Sequence, residues 1–176
     1  MNIIKITDEY VLLAGITNLE IDDVKTFMNK FRSVNKDVVV QIVNSDFIAG
    51  MQHIIGVLYQ SVEAKKRGIL LSKSREVDIL LRLACTDQIK KAFTKIGLRD
   101  GMNNVLVIAI GKLNYLKLLR KYIVENYDID NNVLNPSKRI LKSIASFHSV
   151  GKAELNTLVN DTNKLASILT ERASLL

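Results

Sequence analysis

Two runs of β-branched and aliphatic residues constrain the fold of this chain more than any other feature. Residues 38–43 read VVVQIV and residues 105–110 read VLVIAI, so both are almost wholly apolar. Such continuous apolarity is typical of strands that are covered on both faces. We therefore expect the two runs to lie side by side in one sheet, with residues 38–43 as a central strand.

A hairpin and a series of helices complete the predicted fold. The pattern indicates strands at residues 2–6 and 10–16, with a tight turn between them. Amphipathic periodicity predicts helices at residues 20–34, 47–67, 88–96 and 113–127, and from about 136 onward. The cluster Asn44-Ser45-Asp46 caps the second of these helices. The helix at 88–96 is expected to turn Ile89, Ala92, Phe93 and Ile96 inward. The order predicts an α/β (α+β) fold in a single domain, residues 1–176, with a small mixed sheet flanked by helices.

The composition and the ends of the chain narrow the class of protein. Of 176 residues, 48% are hydrophobic, and Cys85 is the single cysteine, so no disulfide can form within the chain. The first residues lack the pattern of a secretory signal, and no run approaches the roughly 20 apolar residues of a spanning helix. We expect a globular cytoplasmic protein without a membrane span.

Basic residues are concentrated in the middle of the chain. Residues 64–100 hold 10 basic and 4 acidic residues, whereas residues 1–63 hold 5 and 8. A net charge of +7 with clustered Lys and Arg is the usual electrostatic footprint of a polyanion partner. For Lys65, Lys66 and Arg67 a second explanation stays open, because cations followed by Gly68 are also favoured at the C-terminus of a helix.

Residues 75–84 carry too many apolar side chains for one helix face. Val77, Ile79, Leu80, Leu81 and Leu83 fall on more than one side of a helix, and their partial alternation is also compatible with a strand. Such a helix lies either deep in a core or against another protein. In a domain this small we favour contact with another protein.

His53 is the one histidine in a suggestive setting. It shares a helix face with Ala49, Gly50 and Gly56, and two glycines in a helix indicate that something approaches that face closely. Tight packing against a neighbouring element and contact with a ligand explain the pattern equally well. Phosphate-binding loops, nucleophile elbows and zinc motifs are absent, so we expect no catalytic activity, no cofactor and no metal.

Several blocks of sequence together resemble one known family. The blocks are VVVQIVNSDFIAGMQHIIGVLYQSVEAKKRG, SKSREVDILLRLACTDQIKKAFTKIGL, NNVLVIAIG and the terminal ILTERASLL. The most specific parts are Asn44, Asp46, Ala49, Gly50 and His53, followed by the EVDILLRLA block and the terminal Glu171, Arg172, Leu175 and Leu176. With these residues the chain resembles the small kinase-binding subunit of the KEOPS complex, the family of the PRPK-binding protein.

The resemblance implies a non-catalytic accessory subunit. Members of the family bind the small atypical kinase/ATPase of the complex, which in turn binds the threonylcarbamoyl transferase, and the assembly modifies the adenosine beside the tRNA anticodon. Members also look like tRNA recruiters, with the 3′ acceptor end as the contact.

We assign the implied roles to residues as follows. The kinase interface is predicted at Val77, Ile79, Leu80 and Leu83. The tRNA surface is predicted at Lys65, Lys66, Arg67, Lys73, Arg75, Arg82, Lys90, Lys91 and Lys95. A pocket for the 3′ end is predicted at Gly50, His53, Leu175 and Leu176. Two alternatives remain: a stand-alone RNA-binding domain, and a small-molecule enzyme that uses His53 as its general base.

Overall fold

The computed structural model describes residues 1–157 and 163–176 and divides them into two compact units. The first, which we call the sheet unit, comprises Met1–Ser45 and Gly97–Val133. The second, the helical unit, comprises Asp46–Ile96 and Leu134–Leu176. Strands and helices together confirm the α+β class. The assignment of residues 1–176 to a single domain stays a prediction.

The sheet unit contains four strands: β1 (Asn2–Ile6), β2 (Glu9–Ile21), β3 (Val39–Asn44) and β4 (Gly101–Gly111). Their order is β1-β2-β4-β3, and all three pairings are antiparallel. The expected mixed pairing is corrected, because β4 runs against both of its neighbours. The hairpin of β1 and β2 is confirmed, and β2 extends further than expected.

The two apolar runs pair as predicted, but only the second of them is a central strand. Val40 lies opposite Ala109, and Ile42 lies opposite Val107. The expectation that residues 38–43 form a central strand is wrong, since β3 is at the edge and β4 is central. Val40, Ile42 and Val43 are nonetheless buried. Continuous apolarity therefore reports burial of both faces and does not report a central position.

Two helices cover one face of this sheet, α1 (Val24–Val34) and α5 (Leu113–Asn126). Phe31 is fully buried in their core, and its ring stacks on Tyr127 with centroids 5.4 Å apart. Helix α1 begins later than the pattern predicts because β2 continues to Ile21. Asp23 caps it by accepting a hydrogen bond from the Thr26 N–H at 2.7 Å.

The helical unit is built from six described helices: α2 (Met51–Arg67), α3 (Arg75–Leu83), α4 (Ile89–Ile96), α6 (Lys138–Phe147), α7 (Lys152–Thr157) and α8 (Lys164–Ser174). The predicted start of α2 is corrected, since Ser45–Phe47 forms a 3₁₀ turn and the helix begins after Gly50. Its predicted end is confirmed: Gly68, at φ 69°, donates its N–H to the carbonyls of Ala64 and Lys65. Residues 75–83 are helical, which removes the strand alternative.

Packing inside the helical unit explains the second glycine of α2. A Cβ added at Gly56 would lie 2.5 Å from Cγ2 of Thr170, so α8 passes directly over this position. The Gln60 side-chain amide donates to the Thr170 carbonyl oxygen at 2.7 Å, which fixes the two helices together. Within the described part of the chain, no helix has the length and apolarity that a bilayer crossing requires.

Candidate functional site

His53 belongs to the core of the helical unit. Its side chain is fully buried, and Nδ1 accepts a long hydrogen bond of 3.4 Å from the Ala49 N–H. Burial lowers the pKa of His53 to about 3, and nearby His148 acts in the same direction. The ring is therefore neutral and closed to solvent, so it cannot serve as the general base of the enzyme alternative. Of the two explanations of the His53 face, the burial of the ring favours tight packing over contact with a ligand.

Gly50 is required where the chain enters α2. Its φ of 85° is a conformation that residues with a Cβ rarely adopt, and an added Cβ would lie 3.0 Å from Pro136 Cδ and 3.1 Å from the Leu134 carbonyl oxygen. The segment at residues 134–136 thus passes close to the start of α2. This close approach forms one wall of a cavity of about 1000 Å³.

The predicted pocket for the 3′ end is assembled only in part. Gly50 lines the cavity, whereas His53, Leu175 and Leu176 are not among its described lining residues. Leu175 is 80% exposed beyond the end of α8, and Leu176 is 39% exposed. A role for these four residues at an RNA end stays a prediction.

The exposure that was expected for α3 is wrong. Ile79, Leu80 and Leu83 are fully buried inside the helical unit, and Val77 is half-buried. These side chains fill the core that α3 shares with its neighbours, so they offer no apolar face to a partner. The role of Val77, Ile79, Leu80 and Leu83 as a kinase interface remains a prediction, and its structural premise is lost.

Two of the predicted tRNA-binding arginines are buried. Arg82 is 6% exposed, its Nε donates to Asp78 at 3.2 Å, and its Nη1 donates to the Ala173 carbonyl oxygen at 3.1 Å. Arg75 is 7% exposed. Arg82 ties α3 to the end of α8, and neither side chain presents its charge at the surface, so their contact with phosphates stays a prediction whose premise of exposure is lost.

The remaining basic residues do form an exposed cationic set: Lys65, Lys66, Arg67, Lys73, Lys90 and Lys91. Lys95 is half-buried, with Nζ 5.7 Å from the centroid of the Phe147 ring. Lys66 pairs with Glu63 at 3.4 Å in an exposed contact that contributes little to stability. We call the six exposed residues the cationic surface.

Sequence analysis also placed two apolar residues of α4 on the wrong side. Ile89 and Phe93 were expected inward, but they are 48% and 49% exposed, whereas Ala92 and Ile96 are fully buried. A helix of eight residues can bury only one stripe, and the small Ala92 permits the closest packing. Phe93 therefore presents an aromatic ring at the surface of the same helix that carries the exposed Lys90 and Lys91.

The terminal block anchors the helical unit. Arg172 of α8 binds the Glu154 carboxylate at 2.8 and 2.9 Å, and its Nη1 donates to the His148 carbonyl oxygen at 2.6 Å. This ion pair joins α7 to α8. The Glu-Arg pattern that was singled out in the sequence thus has a structural explanation at Arg172.

Cys85 and the two histidines do not form a metal centre. Among residues 1–157 and 163–176, no three His, Cys, Asp or Glu side chains are close enough to hold an ion. Burial raises the pKa of Cys85 to about 11, and its thiol contacts the Leu169 carbonyl oxygen at 3.4 Å. A protonated, hydrogen-bonded thiol is a poor ligand and a poor nucleophile.

Sequence analysis missed the lysines that line the cavity. Lys142, Lys152 and Lys164 belong to three different helices and are 10 or more residues apart in the sequence. No periodic pattern connects them, so their convergence became visible only in three dimensions. A weak signal was available in the net charge of residues 101–176, which hold 10 basic and 6 acidic residues.

Comparison with known proteins identifies the family. Residues 17–173 match the family model described as kinase binding protein CGI-121. A curated relative, the EKC/KEOPS complex subunit CGI121 of Yarrowia lipolytica, is 24% identical over 91 residues, which are 52% of this chain and 54% of the relative. The aligned region thus spans about half the length of each protein. Because the family model covers most of the sequence, the chain belongs to the CGI-121 kinase binding protein family.

Proposed function

We propose that this chain is a non-catalytic accessory subunit of a KEOPS-type complex. In this role it binds and regulates the kinase/ATPase subunit, and through that subunit it is linked to the threonylcarbamoyl transferase. It also helps to recruit tRNA by the 3′ acceptor end for threonylcarbamoylation of the adenosine beside the anticodon. The observation that carries the proposal is the match of residues 17–173 to a kinase-binding family.

A kinase contact requires apolar side chains at the surface, and α2 with the end of α8 supplies them. Tyr59 is 46% exposed on α2, and Leu175 is 80% exposed at the end of α8. The two helices pack together through Gly56 and Thr170, so both side chains belong to one rigid pair of helices. Exposed aromatic and aliphatic residues of this kind are typical anchors of protein interfaces.

Charge substitution at this surface tests the kinase contact. In a pull-down with the purified cognate kinase, Tyr59→Glu combined with Leu175→Glu should reduce binding by at least tenfold, because a charge must be desolvated at the interface. Leu118→Glu combined with Val124→Glu on α5 is the matched control, since these side chains are 54% and 56% exposed in the sheet unit. Retention of full binding by the double variant would exclude this surface, and failure of the unmodified chain to bind any such kinase would refute the kinase role.

The cationic surface supports the proposed contact with tRNA. Lys90 and Lys91 are exposed on α4, and Lys65, Lys66 and Arg67 are exposed at the end of α2. Phosphate contacts of this kind provide affinity without sequence preference, as a subunit that serves many tRNAs requires. Phe93 adds a ring on which an unpaired base at a single-stranded end can stack.

Salt dependence distinguishes specific phosphate contacts from general attraction. Reversal of Lys90 and Lys91 to Glu should weaken tRNA binding and reduce the slope of log Kd against log salt by about 2. Lys117→Glu with Lys121→Glu on α5 makes the same change in net charge at exposed positions of the sheet unit. Equal losses in both double variants would show that only net charge matters and would remove α4 as the contact.

A further inference from the structure

The cavity of the helical unit opens where several helices begin. Its walls come from the first residues of α2, from residues 134–136, from α6 and α7, and from the first turn of α8. Its volume of about 1000 Å³ is at the upper end of the range of small-molecule sites. The cavity lies at the opposite end of α2 from Lys65, Lys66 and Arg67, about 20 Å away at 1.5 Å per residue.

The charged residues among the described lining of the cavity are of one sign. Lys142, Lys152 and Lys164 line it, one from each of α6, α7 and α8, and none of the described lining residues is Asp or Glu. The nearest acidic residue of α7, Glu154, already has its carboxylate bound to Arg172. Three ammonium groups around one concave site produce a positive potential that selects an anion.

The backbone adds hydrogen-bond donors of the same polarity. The first turns of both α2 and α8 line the cavity, and no side chain among residues 1–157 and 163–176 caps the N-terminus of either helix. The N–H groups of a first helical turn point along the axis and carry partial positive charge. Together with the lysines they suit a phosphate group, which accepts several hydrogen bonds at once.

The rest of the wall fits the body of a nucleoside. Leu141, Val150 and Leu165 provide an apolar surface, against which the face of a base can lie. Gln52 and Asn135 provide side-chain amides, which can both donate to and accept from the edge of a base. Both amides are exposed, so they can pair with the edge of a base at the mouth of the cavity, whereas a purely apolar acyl chain would gain nothing from them, which favours a nucleoside over a lipid.

We propose that this cavity binds a free nucleoside phosphate, with its phosphate on Lys142, Lys152 and Lys164 and its base against the apolar wall. The site is distinct from the cationic surface proposed for tRNA, shares Gly50 with the predicted pocket for the 3′ end, and does not depend on either proposal. A subunit with such a site can respond to a nucleotide while it is held by other macromolecules.

Titration calorimetry with the full chain tests the site, with adenosine 5′-monophosphate as the probe. We expect it to bind at least tenfold more tightly than adenosine alone or inorganic phosphate alone, since both halves of the ligand contribute. Lys142→Gln with Lys164→Gln should weaken binding by about tenfold or more, as expected for loss of charge-assisted hydrogen bonds. Lys65→Gln with Lys66→Gln, at the far end of α2, should leave it unchanged.

A second variant separates occupancy of the cavity from simple attraction of charge. Ser146 lines the cavity from an exposed position on α6, so Ser146→Trp should fill space without disturbing the core and should abolish binding. Thermal unfolding of each variant verifies the fold. Absence of saturable binding at millimolar nucleotide, equal binding of phosphate alone, or full binding by Ser146→Trp would each overturn the proposal. Capture of a single-stranded RNA trinucleotide without binding of the mononucleotide would overturn it as well.

Discussion

The two buried histidines make the stability of this protein depend on pH in a predictable way. His53 is fully buried, and its Nε2 has no hydrogen-bond partner among the described residues. His148 is 4% exposed, and its Nε2 is 3.1 Å from the Phe47 carbonyl oxygen, so this nitrogen donates. Burial lowers the pKa of His53 to about 3 and that of His148 to about 4, from an ordinary 6.5.

The sign of the effect follows from these pKa values. At pH 7.5 and above both histidines are almost wholly neutral in the folded and in the unfolded chain, so they hardly change the free energy of unfolding. Below pH 6.5 the unfolded chain binds two protons that the folded chain excludes, and stability falls until pH reaches the folded values near 4 and 3. From pH 7.5 to 5.5 each histidine should cost about 1.4 kcal/mol, and the pair roughly 2.7 kcal/mol.

Urea unfolding at pH 7.5 and 5.5, at constant ionic strength, measures this loss. The chain has only two histidines, so the variant His53→Met with His148→Gln should show little change in unfolding free energy between the two pH values. Each single variant should lose about half of the dependence. The α-amino group of Met1 is present in all four proteins and provides the common baseline.

A direct titration keeps the prediction testable even if the histidine-free variant folds poorly. The proton resonances of both imidazole rings in the unmodified chain should show no inflection between pH 7.5 and 5.5. A ring that titrates near 6.5, an unfolding free energy equal at the two pH values, or full pH dependence in the histidine-free variant would refute burial as the cause.

Three further substitutions test the packing of the helical unit. Leu80→Ala should lower the free energy of unfolding by about 2 to 5 kcal/mol, because Leu80 is fully buried, whereas Leu175→Ala should leave the urea midpoint unchanged. Gly56→Ala should lower the melting temperature, because the added Cβ clashes with Thr170. Addition of Thr170→Ala to that variant should restore the melting temperature. Gly151→Ala is the control, since a Cβ at Gly151 meets open space. Asp78→Ala should cost about 3 to 5 kcal/mol in urea unfolding by leaving the Arg82 charge buried and unpaired, and Asp78→Leu with Arg82→Met should cost less.

The sequence predicted those parts of the fold that depend on local pattern. The β1–β2 hairpin, the pairing of β3 with β4 and the end of α2 at Gly68 each follow from residues that are close together in the chain or from a strong apolar run. The edge position of β3 could not be predicted in this way, because an edge strand buried on both faces has the same composition as a central one.

The sites were harder to predict because exposure depends on distant parts of the chain. The apolar residues of α3 were compatible with either a core or an interface, and only the packing of α2 and α8 around α3 decided between them. In the same way, Arg82 looked like a surface cation until Asp78, one turn earlier, and the Ala173 carbonyl oxygen were placed against it. Charge along a sequence thus locates a cationic region, but burial decides which of its members are available.

Helix α2 shows why the most specific residues of the sequence are not its best candidates for recognition. Gly50 and His53 carry the family resemblance, yet Gly50 is explained by its packing against residues 134–136 and His53 by its place in the core. Gly56, on the same helix, is explained by its packing against Thr170 of α8. The residue types at these positions are constrained because α2 must hold α8 and the cavity wall in fixed positions. Under the proposed function, we therefore expect recognition to use the exposed side chains of α2, such as Tyr59 and Lys66, because the packing of the fold does not constrain them.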